Sequence, residues 1–210
     1  MIYSSDVDKF EKSLIANMRT FDLDLPAQTV TQLGAYYSLL TRWNDRLHLV
    51  APCSPEEFAT RHVLESLMLL KHLPDGAKIA DIGSGAGLPI IPCLIVRPDL
   101  EATLIESSQK KSVFLREALN QLGRPSTIIA KPFEDVEPPD VSFVTCRALD
   151  QFMNKVSTLI DWAPAGSTLL LYGGEKLGDQ LNKTSAKFEQ FLIPLSDKRF
   201  LFVVYTDSTN

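Results

Sequence analysis

Asp81-Ile82-Gly83-Ser84-Gly85-Ala86-Gly87 is the stretch of this chain where residue types and spacing most clearly prepare a binding site. Glycine at every second position lets the backbone approach a bound molecule closely. A dinucleotide fingerprint needs G-x-G-x-x-G, and counted from Gly83 its third glycine falls on Leu88. No Gly-Lys-Ser/Thr follows, so a Walker A loop is excluded too. Asp81, which opens the loop, would repel a diphosphate and attract a cation. S-adenosylmethionine (AdoMet) carries a sulfonium and an ammonium group and suits this arrangement. The next apolar run ends on Glu106, where a carboxylate can accept hydrogen bonds from both hydroxyls of a ribose. The plainer reading is a glycine turn beside a surface acid. The preceding strand, the following helix and the placement of Glu106 together favour the AdoMet site.

Such a loop works only at the carboxyl end of a strand, and the flanking pattern supplies one. From residue 76 onward, short β-branched runs alternate with helical segments. Strands are expected at 78–82, 101–106, 126–130, 141–146 and 168–172. Helices are expected at 88–96, 109–122, 150–161 and 175–187. Two final runs, 189–194 and 199–205, could pair as an antiparallel hairpin. This alternation implies an α/β fold with a parallel, doubly wound sheet.

Before residue 76 the period is helical. One stripe is Val7, Phe10, Leu14 and Ile15; a second is Val30, Leu33, Tyr36, Tyr37, Leu40 and Trp43. A third helix starts with Ser54 as N-cap, Pro55 at N1 and Glu57 at N3, a capping box. Its stripe is Ala59, Val63, Leu67 and Leu70, widened by Leu64 and Met68, and Pro74-Asp75-Gly76 ends it. The expected division is a helical appendage at 1–75 and a binding domain at 76–210.

The chain has 210 residues and a net charge of −5. That charge argues against indiscriminate nucleic-acid binding, which draws on a basic surplus. A local patch remains: Lys110, Lys111, Arg116, Arg124 and Lys131 face Glu117 alone. A solvated helix face is the bland reading of that patch. Cys53, Cys93 and Cys146 are scattered, which argues against a disulfide framework or a zinc site and fits a reducing cytosol. No metal is expected. The acidic, polar start lacks a secretory pattern, and no apolar run is long enough to span a membrane.

The segment DIGSGAGLPIIPCLIVRPDLEATLIESSQKKSVFL resembles the signature of the RsmG family, also called glucose-inhibited division protein B. Leu88-Pro89, Arg97-Pro98 and the cluster Ser107, Lys110-Lys111, Phe114-Leu115 all resemble family features. Trp43-Asn44, Arg61-His62-Val63-Leu64-Glu65-Ser66 and Cys146-Arg147-Ala148 resemble further family motifs. The resemblance implies a Rossmann-like class I AdoMet-dependent methyltransferase sheet with an N-terminal helical appendage. It implies methyl transfer from AdoMet to N7 of one guanine, of the guanine 527 type, in 16S ribosomal RNA. The implied protein is cytoplasmic and monomeric, with the small ribosomal subunit as partner and no membrane. It assigns cofactor binding to Asp81, Gly83, Ser84, Gly85, Gly87, Leu88, Glu106, Phe133, Glu134 and Arg147. Arg147, Arg61 and His62 become the substrate-positioning residues.

Two departures remove cations near the expected pocket. The family's arginine before the acid that follows the third strand is Pro132 here, ahead of Phe133-Glu134; the lysine that ends its fifth strand is Gly173. An AdoMet-dependent enzyme for another RNA or a small molecule, or a non-catalytic AdoMet- or ribosome-binding protein, are therefore the competing expectations. Residue by residue, Arg61 could simply pair with Glu65 at i+4. His62 could be a satisfied core histidine. Trp43 and Asn44 read as packing and capping residues. Pro52-Cys53 and Pro92-Cys93 look like the nucleophile pair of cytosine-C5 methyltransferases, but neither follows the fourth strand as that chemistry requires.

Overall fold

The computed structural model describes residues 2–147 and 152–207. Helix α1 (Ile2–Asn17) continues into a 3-10 turn (Met18–Phe21) and is followed by α2 (Ala27–Leu47). A third helical run, α3, extends from residue 55 to 72. It changes pitch along its length: α at Pro55–Glu57, π at Phe58–Leu64, α at Glu65–Leu67 and 3-10 at Met68–His72. Then come β1 (Lys78–Ile82), α4 (Ile90–Val96), β2 (Glu101–Ile105), α5 (Gln109–Gln121) and β3 (Thr127–Ile129). After a 3-10 turn (Phe133–Asp135) follow β4 (Phe143–Arg147), α6 (Phe152–Trp162), β5 (Thr168–Gly173), α7 (Glu175–Leu181), β6 (Lys187–Leu192) and β7 (Phe200–Tyr205).

The seven strands lie in the order β3-β2-β1-β4-β5-β7-β6. β7 runs antiparallel to both β5 and β6, so the two C-terminal runs do form a hairpin. The order reverses between β1 and β4, and ligands of open α/β sheets bind at the carboxyl ends of strands beside such a switch. The strand–helix alternation thus gives the expected Rossmann-like class I sheet.

Alternating side chains divide the core by sheet face. Leu170 and Tyr172 of β5 join Tyr36, Leu40, Leu64, Leu67 and Phe114 from the helices on one face. Leu169 and Leu171 join Val156 and Leu159 of α6 and Leu177 of α7 on the other. The N-terminal helices therefore share one continuous core with the sheet.

Several local expectations need correction. Ile15, assigned to the apolar stripe of α1, is 53% exposed. The helix expected over 175–187 stops at Leu181, and residues from Lys187 enter β6. Glu106 lies one residue beyond β2, not within it. Ser54 caps α3 by accepting the Glu57 N–H at 3.1 Å, but the Glu57 carboxylate takes Arg61 at 2.9 Å instead of closing the box. Ala148 and the first two residues of the helix expected at 150–161 lie outside the described residues.

Candidate active site

A cleft of about 350 Å³ opens at the switch point. One wall is the glycine loop, with Gly83, Ser84, Gly85, Ala86 and Leu88; its floor and rim include Glu106, Ser107 and Lys111. The opposite wall comes from the helical region: Leu49, Val50, Ala51 and His62, together with Arg147 from the end of β4. A second lobe of about 150 Å³ continues from it. That lobe shares Gly83, Ser107 and Lys155 and adds Ile82, Ile105, Lys131, Pro132, Phe133 and Glu134.

The loop is fixed by main-chain bonds and one carboxylate. Gly83 donates to Ile105 O at 2.8 Å, and Gly87 donates to Ser84 O at 2.6 Å. Gly85 has φ +52°, in the left-handed region that favours glycine. Its N–H donates to Glu106 Oε2 at 2.8 Å, while Oε1 accepts from Ser108 N at the same distance. Glu106, 5% exposed, thus ties the loop to the start of α5. Its oxygens retain free lone pairs, since each carboxylate oxygen offers about two. From below, Tyr36 of α2 donates its hydroxyl to Ala86 O at 2.7 Å.

Asp81 lies under this loop rather than on the cleft wall. It is fully buried, and neither carboxylate oxygen has a hydrogen-bond partner among the described residues. Burial pushes its pKa up to about 8, the neighbouring Ser84 hydroxyl opposes that rise, and nearby Glu106 adds to it. Gly87 also stays off the wall; a Cβ there would collide with Ile91, so its bareness lets the loop pack on α4. Phe133 meets Trp162 edge-on, and Glu134 pairs with Lys155 at 2.6 Å.

The other wall depends on the π-helical turns of α3. The Glu65 N–H bonds to Thr60 O, five residues back, and so does not bond to Arg61 O. Arg147 supplies the missing donor: Nη2 reaches Arg61 O at 2.6 Å and Nη1 reaches His62 O at 3.2 Å. The same guanidinium contacts Ser66 Oγ and Glu65 Oε2, each at 3.3 Å, and lies 5.4 Å above the Tyr172 ring. Arg147 borders the cleft, but its donors point into α3. Glu65, only 2% exposed, is shared with Arg199, whose Nε donates to Oε1 at 3.0 Å. The Arg61–Glu65 surface pair weighed as the plainer alternative does not form; Arg61 pairs with Glu57, and Glu65 is interior.

His62 faces the cleft with its ring 5.1 Å from Phe58. Burial, then Arg147, Arg61 and Arg199, push its pKa down to about 3, so the imidazole is neutral at physiological pH. Leu49–Ala51 is a wall that sequence reasoning missed. Its signal was Asn44, whose carboxamide brackets Val50: Nδ2 donates to Val50 O at 3.1 Å and Oδ1 accepts from Val50 N at 2.9 Å. Cys93 and Cys146 are buried in the two core layers and Cys53 flanks one, so none lines the cleft. Among the described residues, no cluster of His, Cys, Asp and Glu could hold a metal, and no helix is long and apolar enough to cross a membrane.

These features fit AdoMet. The glycine loop leaves room beside the backbone, Glu106 offers lone pairs toward a ribose, and the second lobe offers apolar surface for a flat base. The buried, unpartnered Asp81 places a latent negative charge beneath the loop.

A family model described as rRNA small subunit methyltransferase G matches residues 29–196. Curated proteins of that name are similar to the chain. The Methylobacillus flagellatus protein is 42% identical over 61% of this chain and 62% of its own length. The Xanthomonas axonopodis protein is 40% identical over 73% and 69%. The Halorhodospira halophila protein is 32% identical over 81% of both. Among solved structures, a methyltransferase from Pyrococcus furiosus superposes with a TM-score of 0.58 at 12% identity, covering 82% of this chain and 97% of that one. M. jannaschii TYW2 in complex with AdoMet gives 0.55 at 13%, covering 70% and 76%.

Proposed function

The chain belongs to the rRNA small subunit methyltransferase G family, an AdoMet-dependent rRNA methyltransferase family, and on that premise we propose that it methylates N7 of one guanine in 16S ribosomal RNA. The guanine 527 position is part of that proposal. So are a cytoplasmic location, a monomeric state, the small subunit as partner, and a division of the chain into an appendage at 1–75 and an AdoMet domain at 76–210.

AdoMet supplies a methyl group made electrophilic by its sulfonium. Glu106 accepts from the ribose hydroxyls while Gly83, Ser84, Gly85 and Leu88 line the methionine side. Ile105, Phe133 and Glu134 frame the adenine lobe. Asp81 beneath the loop would favour the cations by giving up its proton as they bind, and Gly87 keeps the loop seated on α4. Guanine N7 carries a free lone pair, so no base has to remove a proton before attack. Catalysis then rests on holding N7 in line with the methyl–sulfur bond.

The observation that carries this reading is the cleft in which His62 faces the glycine loop, in a chain whose family match runs over residues 29–196. A poor proton acceptor is what a reaction without proton removal allows, and a neutral ring does not repel the sulfonium or the cationic product base. Arg147 and Arg61 serve the substrate side by fixing the turn that presents His62. Lys111, which lines the cleft and has no ion pair among the described residues, is free to meet RNA phosphate.

The test is transfer of labelled methyl to small subunits, mapped by borohydride–aniline cleavage. Cleavage at a single guanine is expected. Label confined to carbon 5 of a cytosine, or to no ribosomal RNA, would overturn the reading.

A further inference from the structure

We infer that Leu49–Ala51 is the surface against which the target base lies, and that Asn44 is the positioning residue that sets it. The inference rests on the proposed base-methylating function.

The observations begin where α2 stops. His48 has φ +48°, in the left-handed region that only a few per cent of non-glycine residues adopt, histidine among the more frequent. Its N–H closes the helix on Asn44 O at 2.9 Å. The chain therefore turns sharply, and without further ties Leu49–Ala51 would be a free loop. Asn44 prevents that. Its side chain makes both hydrogen bonds that a neighbouring strand would make to Val50, one to the N–H and one to the C=O. A carboxamide is suited to this because it carries a donor and an acceptor side by side. Trp43, the neighbour of Asn44, meets Phe114 of α5 edge-on at 6.0 Å, which seats the end of α2 against the sheet domain.

The clamp has a directional consequence. Leu49, Val50 and Ala51 share the cleft with the glycine loop and His62. Leu49 and Val50 are half-buried, although both are apolar and on a loop. The main-chain polar atoms of Val50 are bound by Asn44, so Val50 presents only its apolar side chain, beside those of Leu49 and Ala51. A flat base fits such a surface and the neighbouring imidazole better than a phosphate or a sugar does. Base-edge recognition is left to other groups, and the wall sets only the plane and depth of the base. Cofactor contacts lie with the glycine loop and Glu106, so disturbing the clamp should alter RNA use and spare AdoMet.

The experiment uses the full chain with purified small subunits. For Asn44→Ala, KM for the subunit is expected to rise by at least about fivefold, while AdoMet affinity measured by calorimetry stays within about twofold. Val50→Ala keeps the main-chain groups of the clamp and trims only the wall; it is expected to raise KM in the same direction. It also carries the test should Asn44→Ala fail to fold. A purely structural Asn44 would instead lower melting temperature and active fraction and leave KM unchanged. Unchanged KM in Val50→Ala, or a parallel loss of AdoMet affinity, overturns the inference. If wild-type protein methylates no ribosomal RNA, the proposed function fails and the inference falls with it; an active wild type with unaffected variants sinks this inference alone.

Discussion

The two walls of the cleft are built by opposite means. The glycine-loop wall is mostly local: residues 81–88 are held by main-chain bonds and by Glu106 just beyond the next strand, with one bond from Tyr36 of α2. The facing wall gathers side chains from distant parts of the chain. Arg147 and Arg199 converge on Glu65, Tyr172 donates to Glu65 O at 2.8 Å, and Asn44 holds Val50. A backbone cradle suits a cofactor of fixed shape. A wall held by a few buried polar groups depends on each of them, because a buried charge left without its partner is costly.

That contrast is most directly broken at Glu65. Glu65→Ala leaves Arg147 and Arg199 without their shared carboxylate in the interior, and removing one partner of a buried pair costs about 3–5 kcal/mol. A large fall in urea midpoint is expected, with RNA methylation lost along with the wall. Stability within about 1 kcal/mol of wild type would show that the wall does not depend on this ion pair.

On the cradle side the expected effect is smaller and falls on the ligand. Glu106→Ala should weaken AdoMet binding by about 1.5–3 kcal/mol, the range for hydrogen bonds to a charged group, with subunit KM little changed. Calorimetry showing unchanged affinity would remove Glu106 from the cofactor site.

A third contrast separates the walls by the sign of their pH dependence. Asp81 is held at about 8 against an ordinary 3.8, so the folded state binds the extra proton and Asp81 lowers stability as pH rises from about 4 to 8. His62 is held at about 3 against 6.5, so the unfolded state binds the extra proton and stability falls as pH drops from about 6.5 to 3. Melting temperatures across pH should show Asp81→Asn flattening the first slope and His62→Gln the second. Identical profiles for wild type and both variants would contradict both assignments.

The π-helical turns also explain the limits of sequence reasoning about Arg147. A strand-end arginine facing the crevice suggested contact with substrate, but the shift from an i+4 to an i+5 bond at Glu65 leaves Arg61 O in need of a donor. That pitch change leaves no mark in residue periodicity, since the stripe Ala59, Val63 and Leu67 remains buried either way. The same stripe hid the burial of Glu65: a glutamate at i+4 from an arginine reads as surface until two distant arginines reach it.

What the sequence determined by itself is whatever depends on neighbours along the chain. The strand–loop–helix unit at 78–96, the N-cap at Ser54, and the alternation that builds a parallel sheet each follow from local period, capping and glycine placement. Tertiary structure alone decided which polar groups meet across 80 residues or more. Arg147 on Arg61 O and Arg199 on Glu65 are side-chain contacts, and only packing the helices onto the sheet brings those residues within hydrogen-bond range. The cofactor cradle could thus be read from the glycine heptapeptide together with Glu106 and the flanking strand and helix, whereas the facing wall exists only once the helices have docked on the sheet.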